Sequence, residues 1–337
     1  MKKFLVVCVA ALLPCFLVSA QEADDAGTGV GLSVIPRIDL TPEFYPEGGH
    51  SFTLGNSSLY SLFEGSFSES VSFSVANHWA GFYSTEKELL FEDTKALYKN
   101  TLKRTGNWLD WANVTFTTGN FSFTLGKDMV TMGGIEFDDY DFDVDPILVS
   151  SLWNGFDCYQ WGAKIGYSLA EDQELTFQVT TSPYADGLFE KPWFNYSLGW
   201  NGSIGDIETI WSATAIQTGA KEFFYLASLG QRIEAGNWLL GLDLSNANMM
   251  SGDLSYGLMV LPSVTYNFSE GLNIFAKGGY EKTFSKEGDA PSAFWGGAGV
   301  NWYPAENLRL RAFGAYNQFW ECSSVGIGLT YFLHVGK

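Results

Sequence analysis

"YQWGAKIGYSLAEDQELTFQVTTS", Tyr159 to Ser182, alternates apolar and polar residues in two runs about a polar break. Tyr159, Trp161, Ala163, Ile165, Tyr167 and Leu169 are interleaved with Gln160, Gly162, Lys164, Gly166 and Ser168. After Glu171-Asp172-Gln173-Glu174, the pattern resumes with Leu175, Phe177 and Val179 set against Thr176, Gln178 and Thr180. Successive side chains of a strand point to opposite faces. The stretch therefore predicts two antiparallel strands joined by a short turn, each with one apolar and one polar face. The fold turns on where the apolar face points, into a protein core or out into lipid.

The same unit recurs along the chain. Strands are predicted at about 28–39, 57–66, 69–80, 107–118, 120–130, 156–169, 173–182 and 193–203. The second half adds about 206–217, 221–233, 236–247, 253–268, 271–284, 292–303, 306–319 and 323–335, an even count of about 16. Every second connection is very short: "FSES" at 67–70, "TGN" at 118–120, "AEDQE" at 170–174, "EAGN" at 234–237, "SEG" at 269–271 and "PAEN" at 304–307. Gly and Asn supply positive φ in such turns, and Pro presets its own φ. The intervening connections include the long ones, at 40–56, 81–106 and 131–155. Short turns at one end and long loops at the other are the signature of an outer-membrane barrel.

That asymmetry assigns the apolar face. Val325, Ile327, Leu329, Tyr331 and Leu333 alternate with Ser324, Gly326, Gly328 and Thr330, and Leu308, Leu310 and Ala312 alternate with Arg309 and Arg311. Trp238, Leu240, Leu242 and Leu244 lie opposite Gly241, Asp243 and Ser245. Tilted strands of this length match the hydrocarbon thickness of a bilayer. Trp108, Trp111, Trp161, Trp200, Trp302, Tyr303 and Trp320 sit near strand ends, where interfacial girdles form. The predicted fold class is all-β: a transmembrane, antiparallel, up-and-down barrel whose apolar face meets lipid. Lipid cannot satisfy an open sheet edge, so the first strand is expected to pair with the sixteenth, with both termini on the periplasmic side. A two-domain secreted β-sandwich also alternates, but leaves unexplained the long series of meandering hairpins.

Composition agrees. Of 337 residues, 46% are hydrophobic and 16% aromatic, but only 17% are charged, against roughly 25% charged in soluble domains. "MKKFLVVCVAALLPCFLVSAQEADD" opens with two lysines, an apolar run from Phe4 to Val18 and the small tripeptide Val18-Ser19-Ala20. This predicts a signal peptide over 1–20, with residues 21–337 forming the barrel. Cleavage removes Lys2 and Lys3 and no acids, taking the formal charge from −19 to −21. A balance that acidic excludes nucleic acid as a partner. Only Cys158 and Cys322 remain after cleavage; one bridge or two free thiols are both open.

Two stretches leave the strand pattern. Ser84 to Trp108, "STEKELLFEDTKALYKNTLKRTGNW", carries early acids and a late Lys103-Arg104 and predicts a short helix in the second long loop. Leu125 to Pro146, "LGKDMVTMGGIEFDDYDFDVDP", passes Gly133-Gly134 into an acidic run. There Asp139, Asp141, Asp143 and Asp145 alternate with Tyr140, Phe142 and Val144, and Glu136 and Asp138 extend the charge. Three readings compete: a divalent-cation site, a solvated outer loop, and a loop folded into the barrel that lines a pore constriction. The run lacks the Gly and the late bidentate Glu of an EF-hand loop, so no metal is expected. The pore loop is the expectation, since rings of Asp and Glu bias a channel towards cations. Lys164, Lys277, Arg309 and Arg311 fall at predicted lumen-facing positions, where they would oppose the acids across the constriction.

No catalytic constellation emerges. His50, His78 and His334 are far apart, and no Gly-x-Ser-x-Gly, His-Glu-x-x-His or Cys/His zinc spacing surrounds them. No enzyme activity and no cofactor are expected. The implied partners are the outer-membrane bilayer and small hydrophilic solutes or ions, cations favoured. Whether the barrel stands alone or as a homotrimer stays open, and an adhesive or structural surface barrel is the alternative function.

"FTLGKDMVTMGGIEFD" (123–138) resembles the Gly-Lys exit strand of the phosphate-selective porin O/P-like proteins. "DTKALYKN…NWLDWANVTF" (93–116) resembles segments of Bacteroidales-type outer-membrane porin-like proteins. The resemblance implies a sixteen-stranded porin barrel. It does not carry phosphate selectivity over, because that depends on a dense basic lumen and this chain is acidic. The ending "YFLHVGK" also departs from the family, since porin-type chains close on a terminal aromatic and Phe332 stands five residues earlier.

Overall fold

The computed structural model describes residues 29–46, 48, 50–53, 57–81, 108–138, 145–155, 157–185, 192–247, 257–282, 292–319 and 321–336. The first half of the sheet comprises β1 (Val30–Phe44), β2 (His50–Thr53), β3 (Ser58–Ser68), β4 (Val71–Gly81), β5 (Trp108–Thr118), β6 (Phe121–Met129), β7 (Tyr159–Ala170), β8 (Gln173–Thr181) and β9 (Phe194–Ile204). The second half comprises β10 (Ile207–Gln217), β11 (Phe223–Ala235), β12 (Trp238–Asn246), β13 (Leu258–Ser269), β14 (Leu272–Lys282), β15 (Ser292–Ala305), β16 (Leu308–Asn317), β17 (Cys322–Tyr331) and β18 (Leu333–Val335).

Each wall strand pairs antiparallel with its chain neighbours, and β1 pairs with β17, so the sheet closes on itself. Two of the eighteen strands are not walls. Short β2 folds back on the end of β1, with Thr41 opposite Thr53, and β18 extends β17 past Phe332 to pair Leu333 with Val34. Sixteen strands therefore form the barrel wall, all antiparallel. Closure gives every edge a partner, the requirement that a lipid environment imposes.

The alternation decides the outside. Leu125, Leu198, Phe294 and Ile327 are each more than half exposed, and they belong to outward rows that also hold Ile165, Phe177, Leu240 and Ile274. Ladder hydrogen bonds satisfy the backbone, so the wall presents side chains alone to the surroundings. The short ends carry the tight turns expected there: Gly119 adopts φ +55° in the β5–β6 turn, a conformation that a Cβ makes costly.

Several boundaries differ from the sequence reading. The first long loop shrinks, because β1 continues to Phe44 and β2 occupies His50–Thr53. Trp111 does not join an interfacial girdle; it turns inward and donates its indole N–H to Ser74 Oγ at 2.6 Å. Trp111 shares the inward parity of Asn113 and Thr115, and a β-bulge follows on its loop side: Ala76 pairs with Trp111 and Asn77 with Leu109, which leaves Asp110 as the extra residue. Tyr159, first of the alternating run, is buried against Trp111 instead of facing outward. The predicted helix at 84–108 lies outside the described residues except for Trp108, which begins β5. Cys158 and Cys322 are both buried free thiols.

Candidate functional site

Between β6 and β7 the chain turns into the barrel, and the described parts of this inner segment dock on inward-facing side chains of one wall strand after another. At its start, Gln178 of β8 accepts the Thr131 N–H at 2.7 Å and donates to the Met129 carbonyl at 2.8 Å. On β10, Thr214 Oγ1 donates to the Thr131 carbonyl at 2.9 Å and Ser212 Oγ to the Gly133 carbonyl at 2.7 Å. Residues 176, 178, 212 and 214 share the polar parity of their strands, so the segment lies on the lumen side of the wall.

Next comes a close approach. Gly134 meets Gly230 of β11, where an added Cβ on Gly230 would lie 2.6 Å from the Ile135 nitrogen and 2.8 Å from Gly134 Cα. Only glycine lets the two backbones come this near. A 3₁₀ turn, Ile135–Phe137, follows, with no side-chain cap of its own. Its orphan N–H groups are met from the wall: Asp243 of β12 accepts from Ile135 and from Glu136, each at 2.7 Å. A carboxylate at the N-terminus of a helical turn is favoured by geometry and by the dipole.

The returning half uses the same device. Glu136 accepts the Ser150 N–H at 2.7 Å and the Ser150 hydroxyl at 2.5 Å. Glu281 of β14 accepts the Ser151 N–H at 3.1 Å, the Ser151 hydroxyl, and the indole N–H of Trp295 at 2.6 Å. These contacts open a one-turn helix, Ser151–Gly155. Asp145 forms ion pairs with Arg37 of β1 at 2.8 Å and Arg311 of β16 at 2.6 Å, and Arg37 also holds Asp39 at 2.6 Å. Asp145 and Arg37 are buried, so each charge depends on its partner.

Apolar packing completes the docking. Val130, Met132, Phe137, Ile147, Leu148 and Leu152 of the segment pack with inward residues Ile216, Leu226, Met259, Leu261, Phe275, Trp295 and Phe313. Fully burying one such side chain contributes about 1.5–3 kcal/mol. This corrects the expectation of a uniformly polar inner face. On β10, β11 and β13 to β16 the inner rows carry apolar residues among polar ones, because the segment covers them as a domain core would be covered.

The structure distributes the nominated residues unevenly. Glu136 is enclosed; burial pushes its carboxyl up to about 8, and the charges of Asp243 and Glu281 add to the rise against the lowering hydrogen bonds from Ser150. Asp138 reaches Arg232 at 3.2 Å, while Arg232 also grips Glu208 at 2.7 Å. Asp145 sits in the arginine cluster; Asp139, Asp141 and Asp143 lie outside the described residues. Among the bases, Lys164 pairs with Asp128 at 2.6 Å. Lys277 lines a cavity of about 120 Å³ beneath the segment, together with Glu136, Arg232, Asp243 and Trp295. Arg309 donates to Thr330 at 3.2 Å, and Arg311 lies 4.5 Å over the Phe275 ring.

Sequence reading missed Arg37, Arg232, Asp243 and Glu281 as anchors. One signal was present: a single charge at an inward position of an otherwise apolar strand, as in "LLGLDLSN" around Asp243. It also missed the pairing of His78 with Asp110 at 2.7 Å, both fully buried, with the Tyr60 ring 3.5 Å from the imidazole. The β5 bulge aims Asp110 at His78, and bulges leave no trace in alternation. His334 instead bonds Ser33 Oγ at 2.7 Å on β1. Among the described residues, no three His, Cys, Asp or Glu side chains converge in a way that could hold a metal ion.

A sixteen-stranded closed barrel with an inward-folded segment after its fifth wall strand is a porin-like architecture. No protein-family model matches the chain, and no curated protein matches it either. Solved structures do. The outer membrane channel DcaP of Acinetobacter baumannii matches with a TM-score of 0.62 at 12% identity, over 94% of this chain and 100% of that one. Outer-membrane expressed OmpT of Vibrio cholerae matches at 0.58 and 12% identity, over 94% and 100%. A mutant of the Rh. blastica porin matches at 0.57 and 12% identity, over 90% and 100%. At such identities the likeness is one of fold.

Proposed function

We propose that this chain is an outer-membrane porin through which small hydrophilic solutes and ions diffuse, with a lean towards cations. The observation that carries the reading is the closed ring of sixteen strands with apolar rows outside and a polar inner face at its turn end. A wall of that kind is stable only with lipid around it and water within. On this reading residues 1–20 are removed, Gln21 begins the mature chain, the long connections face the cell exterior and the tight turns face the periplasm. The resemblance to phosphate-selective porin O/P-like and Bacteroidales-type proteins is compatible with the fold, and a homotrimer is compatible with the exposed apolar wall.

The lean towards cations draws on only some of the residues first nominated, and adds two from the wall. Asp145 is matched by two arginines, Asp138 by Arg232, and Glu136 is mostly protonated at neutral pH. The remaining carboxylates are Asp139, Asp141 and Asp143 of the segment, and Glu64 and Glu174 on inward positions near the turns. Glu64 accepts from Ser74 at 2.9 Å and Glu174 from Ser122 at 3.3 Å, both hydroxyl partners that leave the charge in place. The test is single-channel conductance in a planar bilayer, with the zero-current potential under a salt gradient. Open channels with a cation-signed potential that fades from 0.1 M to 1 M salt are expected, as the Debye length falls from about 10 Å to about 3 Å. Absence of channels in a correctly folded preparation would reject the porin reading.

One observation favours a second reading. The apolar packing of the inner segment is what an occluded barrel would show, and such a barrel would serve adhesion or structure at the cell surface. The same conductance measurement separates the two.

A further inference from the structure

We infer that the inner segment is held by a carboxylate latch, in which ionisation of Glu136 loosens its docking on the β11–β14 wall. The latch has three parts, each a carboxylate accepting donors across the interface. Asp243 takes the Ile135 and Glu136 N–H groups, Glu136 takes the Ser150 N–H and hydroxyl, and Glu281 takes the Ser151 N–H and hydroxyl. Glu136 is the link, because among these three carboxylates it is the one that ties the outgoing half of the segment to the returning half, beside the packing of Phe137 on Trp153 at 4.9 Å.

The surroundings decide which protonation state fits. From β12 and β14, Asp243 and Glu281 face Glu136 with negative charge. From β11 and β14, Arg232 and Lys277 line the adjoining cavity, but Arg232 is committed to Glu208 and Asp138. The β13 lining is Leu261, Ser263 and Thr265, which carries no charge. A protonated Glu136 can donate to Ser150 Oγ while accepting the Ser150 N–H; an ionised one only accepts. Ionisation therefore places a third negative charge in a buried site whose donors are already used.

The direction follows from linkage. Burial holds the docked carboxyl up at about 8, and an undocked one would titrate near the ordinary glutamate value of 4.5. Between those values the docked state binds more protons, so docking is strongest in acid and weakens as pH rises. Above about 8 both states are ionised and the weakening stops. The latch goes beyond the permeation reading and stands or falls without it.

The experiment compares amide hydrogen exchange at Ile135, Glu136, Ser150 and Ser151 in the refolded full-length barrel and in Glu136→Gln, from pH 5 to pH 9. The ratio of the two rates at each pH removes the intrinsic pH dependence of exchange. The native segment is expected to exchange progressively faster than the variant, at least tenfold faster by pH 8, and then to hold a constant ratio. A ratio that stays flat from pH 5 to pH 8 overturns the latch. Ser150→Ala, in the same assay, removes a hydrogen bond that lowers the Glu136 carboxyl, so it should raise exchange at Ser151 and carry the pH dependence to higher pH than in the native protein; a dependence that ends at the native pH or below also counts against the latch. Bilayer conductance of the same preparations keeps the two readings apart. PH-dependent exchange without channels would leave the latch standing and remove the porin.

Discussion

The two ends of the barrel interior are built on different rules. At the loop end, inward residues of β10 to β16 are apolar or are polar groups with a partner, as Arg311 has in Asp145 and Thr214 has in the Thr131 carbonyl, and the segment between β6 and β7 is packed against them. At the turn end, inward residues are mainly polar: Glu64 is exposed, Ser203 is half-buried, and Asn273 and Asn301 bond each other at 2.9 Å. The outer wall hardly changes between the ends, since lipid asks the same of both. Inner positions are thus free to serve either water or protein, and in this molecule they divide by height. A substitution should be judged first by which end it falls in.

The largest expected effect is at the loop end. Asp145→Asn removes a buried counter-charge that Arg311 and Arg37 share, at a cost on the order of 3 kcal/mol. The temperature at which the folded barrel converts to its heat-denatured form on a gel should drop. An unchanged temperature would mean that the cluster does not brace the segment.

Gly230→Val should act more locally. Its side chain would occupy the space of the Gly134 and Ile135 backbone, and overpacking of that kind costs about 1–3 kcal/mol. The barrel should still fold, with the segment displaced and cut by protease at sites protected in the native protein. Native-like protection would show that the two glycines are not a required contact.

The smallest effect on stability is expected at the turn end. Glu64→Gln with Glu174→Gln should leave thermal behaviour unchanged, because both carboxylates have hydroxyl partners that an amide can keep. The zero-current potential should nonetheless move towards zero at low salt. If it does not move, selectivity belongs to the segment, and the division by height concerns packing alone.

The barrel was legible from the sequence because its constraint is local. An outward row tolerates little but apolar residues, so Val325, Ile327 and Leu329 announce the lipid face within five residues. Turn residues such as Gly119-Asn120 announce the ends in the same way. The docking of the segment was not legible, because its anchors come from distant strands. Asp243 stands 108 residues from the Ile135 that it caps, and Glu281 stands 130 from Ser151. Acidic character alone pointed to the segment, but charge in a sequence does not say which carboxylates will be paired, buried or protonated. The apolar inner rows had one trace, the unbroken "LMVL" opening β13, where both faces are apolar and alternation fails.

The seam between β1 and β17 has a kinetic meaning as well. Arg37 lies opposite Thr330, so the contact that closes the ring joins nearly the first described strand residues to nearly the last. Closing so long a loop is entropically slow, and no shorter route exists to a barrel without edges. Until β17 is made and has arrived, β1 and the newest strand each present an unpaired row of N–H and C=O groups, which is an aggregation hazard in water. The chain must therefore be kept unfolded until β17 is available, because the pairing of that strand with β1 is what leaves the sheet without an open edge.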